Sequence, residues 1–245
     1  MGKEQILKRK TERAALEEGV HFSIGAVPAV LYGAPAAKVW LFVHGQYGCK
    51  EEAAAFADIV CPRGAQVLAV DLSGHGVRKA EPAPLTPWSA EPDLRAAATY
   101  AARHWETVSV RANSIGAYFA LLFLDEPARA LLVSPVLDME RLILDRMKAQ
   151  GVSEEQLQAR GEIPSEWGDA LSWRYLCYVR EHPILRWRCP ISLLYAGRDT
   201  VVSRGTVDAF VRGHAACLTV MEEGEHWFHT PDQLSFLRRW EQENC

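Results

Sequence analysis

The sequence predicts an α/β fold in which helices cover both faces of a mostly parallel β-sheet. Short apolar segments rich in β-branched residues alternate with segments of helical pattern, which is typical of βαβ units. The chain has 245 residues, 49% of them hydrophobic, and this length and composition suit one large domain of that class. We therefore expect a single domain over residues 1–245.

Eight segments are expected to form the sheet. The predicted parallel strands are Val39–Val43, Val67–Val70, Val108–Arg111, Ala130–Ser134, Ile191–Tyr195 and Leu218–Met221. Ahead of them, Phe22–Ile24 and Val27–Tyr32 flank the dipeptide Gly25-Ala26, which predicts a hairpin that adds antiparallel strands at one edge.

Helices are predicted between these strands. They cover Lys50–Val60, Glu91–Trp105, Ile115–Asp125, Thr206–Arg212 and Pro231–Glu243. The last one has a clear start signal, because Thr230 is followed by Pro231 and then by Gln233, the pattern of an N-cap with a capping box. Residues 3–18 also have a helical pattern and are expected to form an appendage.

Residues 135–189 interrupt this alternation. They connect two predicted strands and are far longer than the roughly 2 to 6 residues usual between elements of an α/β unit. The segment contains three predicted helices, Met139–Gln150, Glu154–Arg160 after the N-cap Ser153, and Leu171–Glu181. We interpret it as a small helical lid inserted into the domain.

A candidate nucleophile follows the strand Val108–Arg111. Ser114 lies where that strand gives way to a helix, and small residues, Ala112 and Gly116, stand two positions before and after it. This segment resembles the nucleophile elbow of α/β-hydrolases, a sharp strand-to-helix turn that leaves room only for small neighbours. It departs from the usual motif in having alanine rather than glycine at position 112.

Two later loops supply a candidate acid and a candidate base. Asp199 follows Gly197 after one predicted strand, and His226 follows Gly224 after the last one. These segments resemble the loops that carry the acid and the histidine in α/β-hydrolases, in the chain order serine, acid, histidine. The resemblance therefore implies that Ser114 is the nucleophile, His226 the general base and Asp199 the acid that orients it.

Three other residues are candidates for the base or the acid. His229 is an alternative base, but its position beside Thr230 suits the start of the final helix better. Asp208 lies within a predicted helix, and Glu225 is too close in sequence to His226 to reach the far side of its ring. Asp199 and His226 are thus preferred.

The segment after the first parallel strand resembles the oxyanion loop of the same superfamily. His44-Gly45-Gln46 matches its His-Gly-x pattern, which implies that the backbone N–H of Gln46 binds the oxyanion, with Tyr47 as the alternative. Ile115, just after the nucleophile, would be the second donor. His44 itself is expected to have a structural role, as is the turn from Asp71 to Gly76, which includes His75.

Composition excludes several classes of function. The net charge of −4 and the interspersed acids and bases give no basic stripe for nucleic acid. No apolar stretch reaches the roughly 18 to 20 residues of a membrane-spanning helix. Six scattered cysteines without a Cys-x-x-Cys pair predict neither a zinc nor a redox site, and with no export signal they favour a cytoplasmic protein with reduced thiols. We expect no metal and no cofactor.

The substrate is the least defined feature of the sequence. The resemblance favours hydrolysis of a small-molecule carboxylic ester; a peptidase or amidase, another chemistry of this fold such as a lyase or perhydrolase, and a non-catalytic binding protein are the alternatives. Aromatic residues near the expected site are candidates for the walls of a substrate pocket. They are Tyr47 and Trp88, and in the insertion Trp167, Trp173 and Tyr178.

Overall fold

The central sheet has eight strands in the spatial order β1–β2–β4–β3–β5–β6–β9–β10. The computed structural model describes residues 18–81, 84–166, 169–214 and 216–245. The strands of this sheet are β1 (Val20–Ile24), β2 (Val27–Tyr32), β3 (Lys38–Val43), β4 (Gln66–Val70), β5 (Thr107–Asn113), β6 (Ala130–Val133), β9 (Ile191–Ala196) and β10 (Cys217–Met221). All eight predicted strands are confirmed, each within two residues of its predicted ends.

Six strands of this sheet are parallel to one another: β4, β3, β5, β6, β9 and β10. The hairpin β1–β2 lies at one edge, where β2 pairs antiparallel with β4. The inner parallel strands are largely buried, which explains why they read as short apolar runs in the sequence, whereas the edge strand β10 is partly exposed. Strand β3 lies between β4 and β5, so the chain reverses its direction of winding there. Such a reversal opens a crevice outside the carboxyl ends of β3 and β5.

Eight α-helices lie among the described residues. They are α1 (Ala53–Val60), α2 (Pro87–His104), α3 (Ser114–Phe123), α4 (Met139–Ala149), α5 (Glu154–Arg160), α6 (Trp173–Glu181), α7 (Arg204–His214) and α8 (Pro231–Asn244). The predicted helices are confirmed in place and order, with α1 preceded by a 3-10 turn at Lys50–Glu52. The predicted helical appendage over residues 3–18 lies outside the described residues, except for Glu18.

The starts of α2 and α6 differ from their predictions for reasons that local contacts explain. Helix α2 begins one turn earlier than predicted, at Pro87, because Ser89 Oγ accepts a hydrogen bond from the Thr86 N–H at 2.9 Å and caps the helix there. Helix α6 begins at Trp173 rather than Leu171. Residues Leu171–Ser172 instead form strand β8, which pairs with β7 (Glu162–Ile163) in a small separate hairpin.

The sheet separates two hydrophobic cores. One core packs α2, α3, α7 and the inserted helices against one face, around large buried side chains such as Phe119 and Leu94. The other core packs α1 and α8 against the opposite face, around Phe42 and Phe56. Because helices cover both faces, the edge formed by the carboxyl ends of the strands is the place where functional side chains can reach solvent.

The inserted residues pack as a unit over the first of these faces. Arg180 of α6 binds Glu140 of α4 and Glu154 of α5, each at 2.7 Å, and so links all three inserted helices. The insertion begins against the proposed nucleophile, because the Val136 N–H donates to the Ser114 carbonyl oxygen at 3.0 Å. Its function as a lid stays a prediction.

The start of α8 has the predicted N-cap but only part of the predicted capping box. Thr230 Oγ1 accepts from the Gln233 N–H at 3.3 Å, as expected. The Gln233 side chain, however, accepts from the His229 N–H at 3.1 Å rather than from Thr230. Among the described residues, no helix is both long and apolar enough to cross a membrane.

Candidate active site

Three polar side chains meet at the carboxyl edge of the sheet. Ser114 Oγ lies 2.8 Å from His226 Nε2, and His226 Nδ1 lies 2.7 Å from Asp199 Oδ2. Nδ1 therefore carries the proton donated to the carboxylate, and Nε2 is left to accept the hydroxyl proton of Ser114. The structure thus brings together the serine, histidine and aspartate that the sequence singled out.

The turn that presents Ser114 is conformationally strained. Ser114 has φ of 47°, in the left-handed region that non-glycine residues rarely adopt, and it is the first residue of α3 directly after β5. A Cβ atom on Gly116 would lie 2.2 Å from the His44 carbonyl oxygen, so only glycine fits there. Ala112, by contrast, is accommodated in full burial, which explains why the turn tolerates alanine in place of the usual glycine.

The loops after β9 and β10 hold the acid and the histidine in register. The Gly197 N–H donates to the Met221 carbonyl oxygen at 2.8 Å, and the Arg198 N–H donates to the Gly224 carbonyl oxygen at 2.9 Å. Asp199 has a fully buried side chain, and its Oδ1 accepts from the N–H groups of Val201 at 2.7 Å and Val202 at 2.9 Å. These bonds fix one carboxylate oxygen, so that the other faces the imidazole.

The residues considered as alternatives to the acid and the base make other contacts. His229 Nδ1 is 2.7 Å from the Trp227 carbonyl oxygen, and its ring stacks on Trp227 with centroids 5.0 Å apart. Asp208 binds Arg204 at 2.9 Å on helix α7. Glu225 Oε2 lies 3.6 Å from His229 Nδ1. The contacts described for these three side chains involve neither Ser114 nor His226.

The loop after β3 lies directly against the strained serine. A Cβ atom on Gly45 would come within 3.2 Å of Ser114 Cβ. The loop then closes a tight turn in which the Gly48 N–H donates to the Gly45 carbonyl oxygen at 3.1 Å and Tyr47 adopts φ of 63°. Gln46 and Tyr47 are the central residues of this turn, so their backbone is held beside the start of α3, where the Ile115 N–H lies.

His44 anchors this loop from inside the protein. It is fully buried, its Nδ1 lies 2.8 Å from the Gly45 carbonyl oxygen, and its Nε2 accepts from the Leu72 N–H at 3.1 Å. Burial lowers the pKa of this imidazole to about 4. His44 is therefore neutral at physiological pH, with its proton on Nδ1, and it joins the loop after β3 to the loop after β4.

A buried ion pair next to His44 went unrecognised in the sequence. Lys50 Nζ lies 2.7 Å from Asp71 Oδ2, and the Lys50 N–H donates to Asp71 Oδ1 at 2.8 Å. Both side chains are almost fully buried. Asp71 thus ties the turn after β4 to Lys50, which follows the turn after β3, and no local pattern marks this lysine for burial.

A second buried ion pair lies under the elbow. Arg111 of β5 binds Glu241 of α8 at 2.8 Å, stacks over the rings of Phe42 and Phe56, and donates to Asn113 Oδ1. Asn113 immediately precedes Ser114. The signal available in the sequence was an arginine inside an otherwise apolar strand, which predicts a buried partner because an unpaired charge is costly there.

The aromatic residues predicted to wall the substrate pocket differ in their surroundings. Tyr47 is 71% exposed on the turn beside Ser114. Trp88 packs edge-on against Tyr178 with ring centroids 6.2 Å apart and lies under the Arg174 guanidinium, so these residues join α2 to the insertion. Trp173 is half-buried against the core. Trp167, predicted to wall the same pocket, lies outside the described residues.

A cavity of about 290 Å³ opens beside the turn after β3. Its lining comes from that turn, from the loop after β4, from the segment before α2 and from the insertion. The lining residues are Gln46, Tyr47, Gly74, His75, Lys79, Pro84, Leu85 and Asp169. Of the predicted pocket residues, Tyr47 contributes to it.

Solved structures of other proteins share this architecture. Est1E from Butyrivibrio proteoclasticus, solved with bound ferulic acid, has a TM-score of 0.70 at 16% identity, covering 91% of this chain and 96% of that one. A putative hydrolase from Agrobacterium vitis S4 gives 0.68 at 18% identity, covering 91% and 95%. Alpha/beta hydrolase domain-containing protein 10 from mouse gives 0.69 at 13% identity, covering 92% and 97%.

These likenesses, together with the sheet order and the flanking helices, show that the chain has the α/β-hydrolase fold, as the sequence predicted. Neither the models of known protein families nor the curated proteins give a match to this sequence. Structural similarity to proteins that are only 13 to 18% identical in sequence establishes the fold alone. The activity has to be argued from the site.

Proposed function

We propose that this protein is a serine hydrolase that cleaves a carboxylic ester through an acyl-enzyme on Ser114. The observation that carries the proposal is the continuous hydrogen-bonded chain from Ser114 Oγ to His226 at 2.8 Å and from His226 to Asp199 at 2.7 Å. A serine hydroxyl is a weak nucleophile until an adjacent base takes its proton, and this arrangement supplies that base together with the group that orients it.

The reaction follows from the positions of these atoms. Ser114 Oγ attacks the acyl carbonyl carbon as its proton moves to His226 Nε2, and the carbonyl electrons move onto the oxygen, which becomes an oxyanion. The backbone N–H groups of Gln46 and Ile115 bind that oxyanion, at the junction of the turn after β3 and the start of α3. The positive end of the α3 dipole adds to this stabilisation.

Collapse of the oxyanion breaks the ester bond, and His226 returns its proton to the departing alcohol. Water then enters, gives a proton to His226 Nε2 and attacks the acyl-enzyme. A second collapse releases the carboxylic acid and restores the Ser114 hydroxyl. Asp199 stays ionised throughout and stabilises the imidazolium that forms in each half of the reaction.

Two further observations support an ester as the substrate. One of the structurally similar proteins, Est1E, binds ferulic acid, a carboxylic acid of the kind that an esterase releases. The site is open at the carboxyl edge of the sheet, with an adjoining cavity for a small molecule. On this proposal Tyr47, which lines that cavity, contacts the substrate, and the protein acts in the cytoplasm. A contact of Trp88, Trp173 or Tyr178 with the substrate stays a prediction.

Covalent labelling tests the nucleophile directly. A fluorophosphonate probe should label the wild-type protein rapidly and should fail to label Ser114→Ala, while the matched variant Ser23→Ala on the exposed strand β1 labels normally. Hydrolysis of p-nitrophenyl acetate should fall at least about 10⁴-fold in Ser114→Ala, because members of a triad act as a unit. Equal labelling of the wild type and Ser114→Ala would exclude this serine as the nucleophile.

The identity of the base has its own test. His226→Ala should abolish labelling, whereas His229→Ala should retain it and lower thermal stability, since the contacts of His229 are with Trp227, Glu225 and Gln233. The reverse result would transfer the base to His229. Circular dichroism of both variants separates a loss of chemistry from a loss of folding.

A further inference from the structure

The cavity beside the proposed oxyanion turn has several polar groups set in walls that are otherwise largely apolar. Asp169, half-buried in the insertion, faces it together with Gln46, whose Nε2 donates to Asp169 Oδ1 at 3.2 Å. Lys79 also lines it. A carboxylate and an ammonium group thus lie in the wall of one small cavity, and the bond from the Gln46 amide to Asp169 ties the insertion to the turn after β3.

His75 adds an acceptor to these walls. Its Nδ1 lies 2.9 Å from the Ser73 carbonyl oxygen, so Nδ1 is the protonated nitrogen that donates there. Its Nε2 is then an acceptor in the neutral ring. That atom is buried and has no hydrogen-bond partner within the described part of the chain. A buried polar atom without a partner is uncommon, which marks this wall as one that a ligand or water completes.

These groups discriminate among substrate chemistries. A carboxylate in the cavity would be attracted by Lys79 but repelled by Asp169, and the reverse holds for an ammonium group, so neither charge suits both groups. An alkyl chain would displace water from Asp169 and would offer neither this carboxylate nor His75 Nε2 a hydrogen bond. A hydroxyl group both donates and accepts, so it can donate to Asp169 or His75 and accept from Lys79 or the Gln46 amide.

The cavity is also connected to the chemistry. Gln46, which lines it, is the proposed oxyanion donor, and the preceding residue, Gly45, contacts Ser114. Its volume of about 290 Å³ is at the lower end of the range for ligand sites, enough for a short polyol or a single sugar ring. A substrate whose carbonyl is held at Ser114 can therefore extend into it.

We propose that the cavity lined by Gln46, His75, Lys79 and Asp169 binds a neutral, hydroxyl-rich portion of the ester substrate, as in an ester of a polyol or sugar. This inference rests on the proposed ester hydrolysis and adds the class of substrate. Asp169 and His75 are the acceptors, Lys79 and the Gln46 amide are the donors, and Tyr47 supplies an aromatic surface at the rim.

The test compares glycerol monoacetate with propyl acetate, which has the same carbon skeleton without the two hydroxyl groups. The kcat/KM ratio should favour the glycerol ester by about tenfold or more, since an unpaired carboxylate or amide penalises the deoxy substrate. Asp169→Asn and Lys79→Met should each reduce that ratio severalfold. The matched variants Asp58→Asn and Lys148→Met, on exposed parts of α1 and α4, should leave the ratio unchanged.

Acetoxyacetate, the acetate ester of glycolic acid, tests the charge argument, and its kcat/KM should be lower than that of glycerol monoacetate. Preference for acetoxyacetate or for propyl acetate would overturn the proposal. So would a glycerol preference that survives both Asp169→Asn and Lys79→Met.

Binding to Ser114→Ala separates this proposal from the proposed catalysis. Saturation-transfer NMR should detect glycerol monoacetate more strongly than propyl acetate, and Asp169→Asn in the same background should remove the difference. If p-nitrophenyl acetate is not hydrolysed by the wild type while this binding preference holds, the esterase proposal fails and the cavity assignment stands. Equal signals for the two esters would refute the cavity assignment alone.

Discussion

Acidification should destabilise this protein through a single buried histidine. The His44 imidazole is fully buried, with Nδ1–H donating to the Gly45 carbonyl oxygen and Nε2 accepting from the Leu72 N–H. Burial lowers its pKa from 6.5 to about 4. Below pH 6.5 the unfolded chain therefore binds a proton that the folded chain does not, so the free energy of unfolding falls as the pH decreases through this window. Between pH 7 and pH 5 this group alone should remove about 2 kcal/mol of stability.

Urea unfolding followed by tryptophan fluorescence at pH 7 and pH 5 measures that loss, with His44→Asn as the comparison. The asparagine amide can still donate to the Gly45 carbonyl oxygen but does not titrate, so the variant should be less stable at pH 7 and should lose about 2 kcal/mol less on acidification. Equal losses in the wild type and His44→Asn would show that the buried imidazole is not the source of the acid sensitivity.

Three further substitutions test the site and its support. Asp199→Asn should lower ester turnover by about 10⁴-fold with an unchanged circular dichroism spectrum, because the histidine loses the partner that fixes its tautomer; turnover within tenfold of the wild type would contradict the assignment. Gly116→Ala should cost at least about 1 to 3 kcal/mol in urea unfolding and abolish fluorophosphonate labelling, since the new methyl group would overlap the His44 carbonyl oxygen. Arg111→Met should destabilise by about 3 to 5 kcal/mol, and the double variant Arg111→Met with Glu241→Leu should recover much of that loss, because the single change leaves a buried charge unpaired; an additive loss in the double variant would argue against the pair.

The sheet and the proposed triad were predictable because their signals are local. Each parallel strand is a short apolar run, and the carboxyl end of a parallel strand always lies at the same edge of the sheet. Ser114, Asp199 and His226 each follow such a strand, so their meeting at that edge could be expected from the order of elements alone. Ala112 departs from the usual motif, yet it meets the steric requirement from which the motif arises.

Other features depend on contacts that no local pattern encodes. Strands β7 and β8 are two residues long, too short for any periodicity to be read. The bond between Arg111 and Glu241 joins residues 130 positions apart, and Lys50, at the start of a predicted helix, is buried beside Asp71. The cavity is built from four separate segments, so the grouping of His75 with Lys79 and Asp169 could not be predicted from any one of them.

The buried link between Arg111 and Glu241 has a consequence for biosynthesis. Strand β5 leaves the ribosome well before helix α8 is made. Arg111 is therefore without its counterion Glu241 while more than half of the described chain is synthesised. Burying this charge without its counterion is costly, so the docking of α8 favours the burial of Arg111, whose side chain also binds Asn113 next to Ser114. A nascent chain that has not yet reached Glu241 therefore lacks the counterion of Arg111 and, with it, one support of the turn that presents the proposed nucleophile.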